Sequence, residues 1–383
     1  MLIERDELTA GTTGRHHGQL HSGARYALGD REIARECLEE TEVLRRIAPG
    51  LIEDNGGLFV AVKDEEMEFA SPFCGACEGA GIETRRVSGE EARQLEPALS
   101  ERVKGGVLIP ADASFDAYRL PLAFFSAAMN SGARIYRFAK ATEIELSGGR
   151  VQALHLEDRI NGKSRRLEAD VIINAGGPWV GEIAALGGVN MEVTPSPGTM
   201  VAVKGRLVKR VISRLRPPDD GDIIVPQRDF SIIGSTQRIT KTPDSIKTNT
   251  PAPGDRELLL DYADEMVPSF SSAPFRAAWS AARPLAKEAG ELAAARALSR
   301  DFVCVHHREV GAAGFFSMVG GKATVLRAMG AETALLVHRY LAGREGKELE
   351  QEVANRSKKE ILPPYRSFYS LFHRLERERS LTW

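Results

Sequence analysis

Lys322 is the oddest placement in this 383-residue chain. It follows Gly320-Gly321 and begins a stretch whose periodicity predicts a helix through Tyr340. A cation in the first turn of a helix opposes the dipole and the exposed amides, at a cost of about 0.3–1 kcal/mol. An anion between that lysine and the helix terminus removes the conflict, and the two glycines let it approach the backbone donors. Arg283, in Ala281-Ala282-Arg283-Pro284-Leu285, is held between apolar residues and a proline. A guanidinium so restrained suits bidentate capture of phosphate or carboxylate. The loop from Gly11 to Tyr26 carries four glycines, His16, His17 and His21, and Arg15 and Arg25. Loop chemistry explains its glycines and threonines, but not that density of donors, which suits a large polar ligand. Lys204, Arg206, Lys209, Arg210, Arg214 and Arg216 form a further basic group with no acid inside the span, as expected of a solvated face or an anion site.

These residues need elements to hold them. Leu2-Ile3 closing on Glu4 has the form of a strand ending on a ribose-binding acid in a dinucleotide unit. The matching Gly-x-Gly-x-x-Gly turn belongs about 20 residues earlier. No such pattern occurs in the chain, so the expectation is either a dinucleotide fold lacking its first strand, turn and helix, with about 25–30 upstream residues missing and nucleotide affinity weakened accordingly, or no nucleotide fold at all. Asp30 caps a predicted helix to Ala48 with Ile33, Cys37, Leu38, Leu44 and Ile47 on its apolar stripe. Strands are expected at 57–62 and 106–110, helices at about 65–80, 88–95 and 116–131, and a hairpin turning at Gly148-Gly149. Val171 to Gly177 reads as a buried parallel strand ending in small residues that admit a ligand. From Thr194 to about Arg300 the texture becomes antiparallel, with strands at 199–204, 221–225 and 230–234 and a helix near 254–267. The strand Gly314 to Val319 then returns to the first fold.

Charged content of 27%, hydrophobic content of 43% and a formal net charge of −2 suit an ordinary globular enzyme and give no reason to bind nucleic acid. No apolar run approaches a membrane span and no signal-peptide pattern opens the chain, so a cytoplasmic address is expected. Cys74-Gly75-Ala76-Cys77 has the spacing of half a metal site, but no second pair accompanies it. As part of a helix it puts Cys77 on a face with Phe69, Phe73 and Ala80, so buried spectator thiols and no metal are expected.

Several motifs recur in a fixed order across residues 1–340. They are Glu4-Arg5-Asp6, GTTGRHHGQLHSGARY at 11–26, NGGLFV at 55–60, VIINAGG at 171–177, VISRLRPPDDGDIIVP at 211–226, SIIGST at 231–236, ARPL at 282–285 and VGGK at 319–322. In these the chain resembles the catalytic A subunits of anaerobic glycerol-3-phosphate dehydrogenases, within the D-amino-acid-oxidase-like flavoproteins. The resemblance implies an α/β fold, a doubly wound (Rossmann-like) FAD-binding domain with an inserted, mostly antiparallel α+β substrate domain. Its expected division is 1–60, 169–193 and 301–343 for the FAD domain, 61–168 contributing to both, 194–300 for the substrate domain and 344–383 as a charged extension. It also implies non-covalent FAD, oxidation of sn-glycerol 3-phosphate to dihydroxyacetone phosphate, and electron transfer to a quinone through partner and membrane-anchoring subunits, the chain resting peripherally on the inner membrane.

By position, Glu4 resembles the adenosine-ribose ligand, and Thr12, Thr13, Arg15, His21 and Ser22 the loop along the pyrophosphate and ring. Ala175 and Gly176 match the adenine half, and Gly320, Gly321 and Lys322 the pyrimidine edge. Arg25, Tyr26, Arg283 and Lys322 fall where relatives hold substrate. His21 is the residue-level choice for the base, its ordinary pKa lying nearest neutrality. Two other readings stay open: a related flavoprotein oxidising another 2-hydroxy acid or an amine, and a non-catalytic paralogue. No cysteine follows Cys304, so no cysteine-rich iron–sulfur module like that of some relatives is expected in this chain. The tail is expected to form a helix over 366–379, with Phe368, Leu371, Phe372 and Leu375 on one stripe and Arg366, Arg374, Arg377 and Arg379 around it, facing a partner, a membrane surface or the body of the enzyme.

Overall fold

The computed structural model describes residues 1–238, 250–286, 302–342 and 347–379; among these, the side chains of 286, 347–350, 353, 354, 371 and 374–379 are not described. Its largest sheet has eight strands in the order Phe275–Ala286, Val193–Lys204, Phe230–Gly234, Ile223–Gln227, Val211–Arg214, Gly57–Ala61, Gly105–Ile109 and Arg85–Ser88. All neighbours are antiparallel except Val211–Arg214 and Gly57–Ala61, so this sheet unites two distant stretches of sequence. Gly57–Ala61 is buried throughout because it feeds two cores by alternation. Leu58 and Val60 join Val201, Ile212 and Ile224 under the helix Asp255–Met266, while Phe59 and Ala61 join Phe73, Cys77 and Val107 under the helix Ala70–Gly79.

The parallel elements are shorter. Leu2–Ile3 pairs with Ile135–Tyr136, and Ile172–Asn174 with Phe315–Gly320, whose other edge pairs antiparallel with Phe302–His306. An antiparallel meander, Ala139–Ser147, Arg150–Asp158 and Ser164–Glu168, lies between them in sequence. The result is an α/β arrangement in which short parallel strands accompany a large, mostly antiparallel sheet. The anticipated helix capped by Asp30 runs over Arg31–Ile47, the carboxylate accepting from the Glu32 and Ile33 amides. The predicted helix near 65–80 divides into Asp64–Glu68 and Ala70–Gly79. Within it Cys77 is fully buried and its thiol is pushed up to about 12, consistent with a packing role rather than a reactive thiol. No cluster among the described residues suits a metal, and none of their helices is long and apolar enough to cross a membrane.

The C-terminal extension packs on the body. Its helix Lys347–Lys359 is tied to Arg31–Ile47 through Arg327, which pairs bidentately with buried Glu40 and donates to Ser357 Oγ at 2.8 Å. Leu362 N–H donates to Ile47 O at 2.6 Å. The helix Arg366–Arg379 buries Phe368 and Phe372 among Leu8, Leu122, Met129 and Ile135, with the Arg137 guanidinium 4.0 Å from the Phe372 ring. Leu371, Leu375, Arg374, Arg377 and Arg379 have side chains outside the described set. Phe372→Ala is expected to cost about 3–5 kcal/mol, read from urea unfolding at constant m-value. A cost below about 1 kcal/mol would show that this helix contributes little to the fold.

Candidate functional site

The predicted residues assemble in two groups. In the first, the strand Leu2–Ile3 delivers Glu4 and Arg5, and the Arg5 guanidinium lies 4.7 Å from the Trp179 ring. Trp179 belongs to the turn after Ile172–Asn174, as do exposed Ala175 and half-buried Gly176, whose amide donates to Asn174 Oδ1 at 3.1 Å. Burial raises the Glu4 carboxyl, against a 2.7 Å hydrogen bond from the Asp6 amide. Trp179 Nε1 is buried and has no protein acceptor among the described residues.

The second group is built around the loop Gly11 to Tyr26, which is pinned to several distant elements. Thr12 Oγ1 donates to Ala282 O at 2.6 Å, and Trp279 Nε1 to Arg15 O at 2.7 Å, fastening the loop to the long strand that carries Arg283. The His21 amide donates to Thr324 Oγ1 at 3.1 Å while its carbonyl accepts from Thr41 Oγ1 at 2.7 Å. These bonds bring His21 beside the turn that starts at Lys322. Ser22 is fully buried, its amide on Asp112 Oδ1 at 2.8 Å, and Gln19 Nε2 donates to the other carboxylate oxygen at 3.2 Å. Burial raises the Asp112 carboxyl in spite of those donors. Thr13 stays exposed in the short 3-10 turn Thr12–Gly14.

Lys322 does not enter the helix. It occupies the cap position in an extended conformation, ahead of the 3-10 turn Ala323–Val325 and the helix Leu326–Ala342. Gly320 and Gly321 both take positive φ, +82° and +86°; at Gly321 a Cβ would lie 2.4 Å from Met329 Sδ. The turn therefore swings Lys322 Nζ to 5.4 Å from the Tyr26 ring, which stands 5.6 Å from the His21 imidazole. Such a cation–π contact contributes about 0.5–2 kcal/mol, which offsets the adverse dipole.

Arg283 is in register with Ser196 on the neighbouring strand. Its Nη2 donates to Ser235 Oγ and its Nη1 to Ser196 O at 3.4 Å. Gly198 makes room for it, since a Cβ there would sit 2.9 Å from Nη2. Arg25 reaches a different partner, Asp222 Oδ2, at 2.7 Å. Its Nη1 is buried and has no protein acceptor among the described residues. Four of the six residues of the basic group find partners of their own, while Lys204 and Lys209 are exposed. Arg214 is buried between Glu66 and Glu265, Arg216 joins Asp222, Arg206 joins Glu53, and Arg210 donates to Asn55 O.

His17 is the residue that spacing alone does not single out. Its Nδ1 accepts from the Gln19 amide at 3.2 Å, as His16 Nδ1 accepts from the Gly18 amide at 3.0 Å. Burial, then the charges of His16, Arg283 and Arg25, push His17 down to about 3; burial pushes His16 to about 4, against the pull of Asp116. Both rings are neutral at pH 7 and carry their proton on Nε2. His17 is thus a neutral N–H donor in the field of two arginines, its ring centroid 6.4 Å from that of His21. The histidine cluster was its only sequence signal. Ser235 and Asp222 had none beyond the motifs containing them, and Ser196 had none at all.

Comparison with known proteins places this geometry. A profile of the family "DAO: FAD dependent oxidoreductase" matches residues 1–327. The chain is 36% identical over 341 residues to the A1 subunit of the anaerobic glycerol-3-phosphate dehydrogenase of Haloferax volcanii, covering 86% of this chain and 57% of that protein. It is 34% identical over 330 residues to the A subunit of the anaerobic glycerol-3-phosphate dehydrogenase of Escherichia coli K12, covering 86% and 60%. It therefore spans less than two thirds of the length of these relatives. Among solved structures, glycine oxidase from Bacillus cereus superposes with a TM-score of 0.67 at 20% identity, covering 91% of this chain and 90% of that one. That likeness extends the shared fold to an enzyme named for an amino acid. The chain belongs to the DAO family of FAD-dependent oxidoreductases, and FAD is its cofactor.

Proposed function

We propose that this protein oxidises sn-glycerol 3-phosphate to dihydroxyacetone phosphate and passes the electrons through partner subunits to a quinone, resting peripherally on the membrane that holds them. The observation that carries this reading is the gathering of Arg25, Arg283 and Lys322 about His17, His21 and Tyr26, with a buried guanidinium N–H of Arg25 lacking a protein acceptor among the described residues. Three cations around one neutral wall suit a phosphate dianion. The names of the Haloferax volcanii and Escherichia coli relatives support the same substrate.

The residues fit FAD at both ends. Trp179 Nε1, near Glu4, Ala175 and Gly176, is a buried donor without a protein acceptor among the described residues, and the positive-φ pair Gly320-Gly321 opens a backbone cradle next to Lys322. Glu4, Ala175 and Gly176 would hold the adenosine half. Thr12, Thr13, Arg15, Ser22, Gly320, Gly321 and Lys322 would hold the rest. When bound, FAD supplies the hydride acceptor for the alcohol carbon. Arg25 and Arg283 clamp the substrate phosphate through charge-assisted hydrogen bonds, and His17 adds a neutral donor between them. That grip fixes the secondary alcohol relative to the ring, where orientation contributes much of the rate. His21, fixed by backbone bonds on both sides and standing against Tyr26, accepts the hydroxyl proton. His16 and His17 are too weakly basic for that task.

Anaerobic titration of the FAD-loaded protein tests the reading. Glycerol 3-phosphate is expected to bleach the oxidised flavin spectrum, with glycerol, lactate and glycine leaving it unchanged. Bleaching by lactate or glycine would support the alternative 2-hydroxy acid or amine substrate. No bleaching by any of them would favour a non-catalytic paralogue.

A further inference from the structure

The RPPDDGDIIVP motif takes no part in the proposed reaction, and its last acid, Asp222, pairs with Arg25. Asp222 is 1% exposed and engages both carboxylate oxygens. Oδ2 accepts from Arg25 Nη2 at 2.7 Å and from the Asp219 amide; Oδ1 accepts from Arg216 Nε at 2.9 Å. Arg216 Nη2 lies 2.8 Å from the same Oδ1 and also donates to Asp220 O at 3.1 Å. The loop 215–222 is thus closed on itself by Arg216 and Asp219 without any help from Arg25. Arg25 is an additional guest on this carboxylate, with its side chain 9% exposed. One carboxylate thus serves two guanidiniums, with the Asp219 and Glu66 carboxylates also acting on Arg216. The planar fork of a guanidinium transmits direction: with Nη2 fixed on Asp222, the direction of Nη1 is fixed as well. That Nη1 is the buried donor without a protein acceptor among the described residues.

We propose that Asp222 is a positioning residue for substrate binding: it grips one edge of the Arg25 guanidinium so that the other edge faces the substrate phosphate. This rests on the phosphate reading of the site. Asp222 touches neither substrate nor cofactor and acts through Arg25. It both orients the donor and prevents Arg25 from folding back onto other carboxylates of the loop.

The test uses the FAD-loaded full chain and calorimetric titration with glycerol 3-phosphate and with inorganic phosphate, alongside steady-state kinetics with an artificial electron acceptor. Asp222→Asn keeps the shape and removes the charge. Its affinity for both phosphates is expected to fall about 10- to 100-fold, the scale of one misplaced charge-assisted hydrogen bond. KM should rise by a similar factor while kcat changes little. In an Arg25→Ala background the same substitution should have no further effect on phosphate affinity. Arg216→Gln, which leaves Asp222 to Arg25, should retain phosphate affinity. Where Asp222→Asn does not yield folded protein, Asp222→Glu keeps the charge, displaces the fork and should show the same selective loss. Unchanged phosphate affinity in the Asp222 variant overturns the proposal, as does an equal further loss in the Arg25→Ala background. A wild-type protein that binds neither phosphate refutes the substrate reading itself, before any variant is compared.

Discussion

Arg283→Ala is expected to lower kcat/KM for glycerol 3-phosphate by about 10²- to 10⁴-fold. Hydrogen bonds to a charged group contribute about 1.5–3 kcal/mol each, and a guanidinium clamps a phosphate with two, so about 3–6 kcal/mol of transition-state stabilisation is lost. Arg283 is well placed to lose that much. Pro284 stiffens its strand, the register sets it beside Ser196, and Ser235 Oγ accepts from one end of its fork. Much of the loss should fall on KM, because phosphate is gripped in the ground state as well as the transition state. A component in kcat is expected to the extent that the grip orients the reacting carbon. Arg283→Lys keeps the charge but has no fork, and should recover only part of the deficit. Steady-state kinetics on flavin-replete protein decide it: a loss under about threefold for Arg283→Ala would remove Arg283 from the substrate site.

The second large effect is on stability in acid. His16 and His17 accept backbone N–H bonds on Nδ1 and are held far below the ordinary histidine pKa near 6.5, at about 4 and about 3. The unfolded chain takes up protons at these residues as pH falls through about 6.5, while the folded chain does not. Stability from this source is therefore complete above about pH 6.5 and declines as pH drops toward the folded values. Between pH 7 and pH 5 the two together should remove about 3–4 kcal/mol. Buried Asp112 and Glu4 carry the opposite sign, since their carboxyls are raised and they favour the folded state as pH falls. The measurement is consequently a difference. Wild type and a His16→Asn/His17→Asn variant, whose amide oxygens can still accept the loop amides, are unfolded in urea at pH 7 and pH 5. The variant should be less acid-sensitive by about 3–4 kcal/mol. Equal acid sensitivity would show that neither imidazole is held neutral by the fold.

Much was legible in the chain because it is locally encoded. Asp30 and the stripe of Cys37, Leu44 and Ile47 specify a helix by spacing alone, and the observed helix Arg31–Ile47 follows it. The apolar runs at 221–225 and 230–234 on either side of a turn likewise announce two strands, observed as the antiparallel pair Ile223–Gln227 and Phe230–Gly234. The ordered motifs from the Gly11–Tyr26 loop to VGGK were sufficient to indicate the family. Lys322 was conspicuous for the right reason, since a lysine at a helix start is unfavourable there. Its resolution differs from the expectation, because two positive-φ glycines hold it one turn earlier, over Tyr26. The tail also needed coordinates: an amphipathic helix can face a membrane, a partner or its own enzyme, and only Leu8, Met129 and Ile135 around Phe368 and Phe372 choose the last.

The sequence by itself determined which residues can carry charge, donate hydrogen bonds or bend the backbone, since those are properties of residue type and spacing over one or two turns. Tertiary structure alone decided how those charges are matched. Arg214 is buried between two glutamates, Arg25 leans on Asp222, and Arg283 is presented by its strand register. Each of those pairings joins segments scores of residues apart, and a cation's role depends on whether a carboxylate or an empty direction meets it. Pairing at such separation is set by sheet register and packing, which no local pattern in the chain contains.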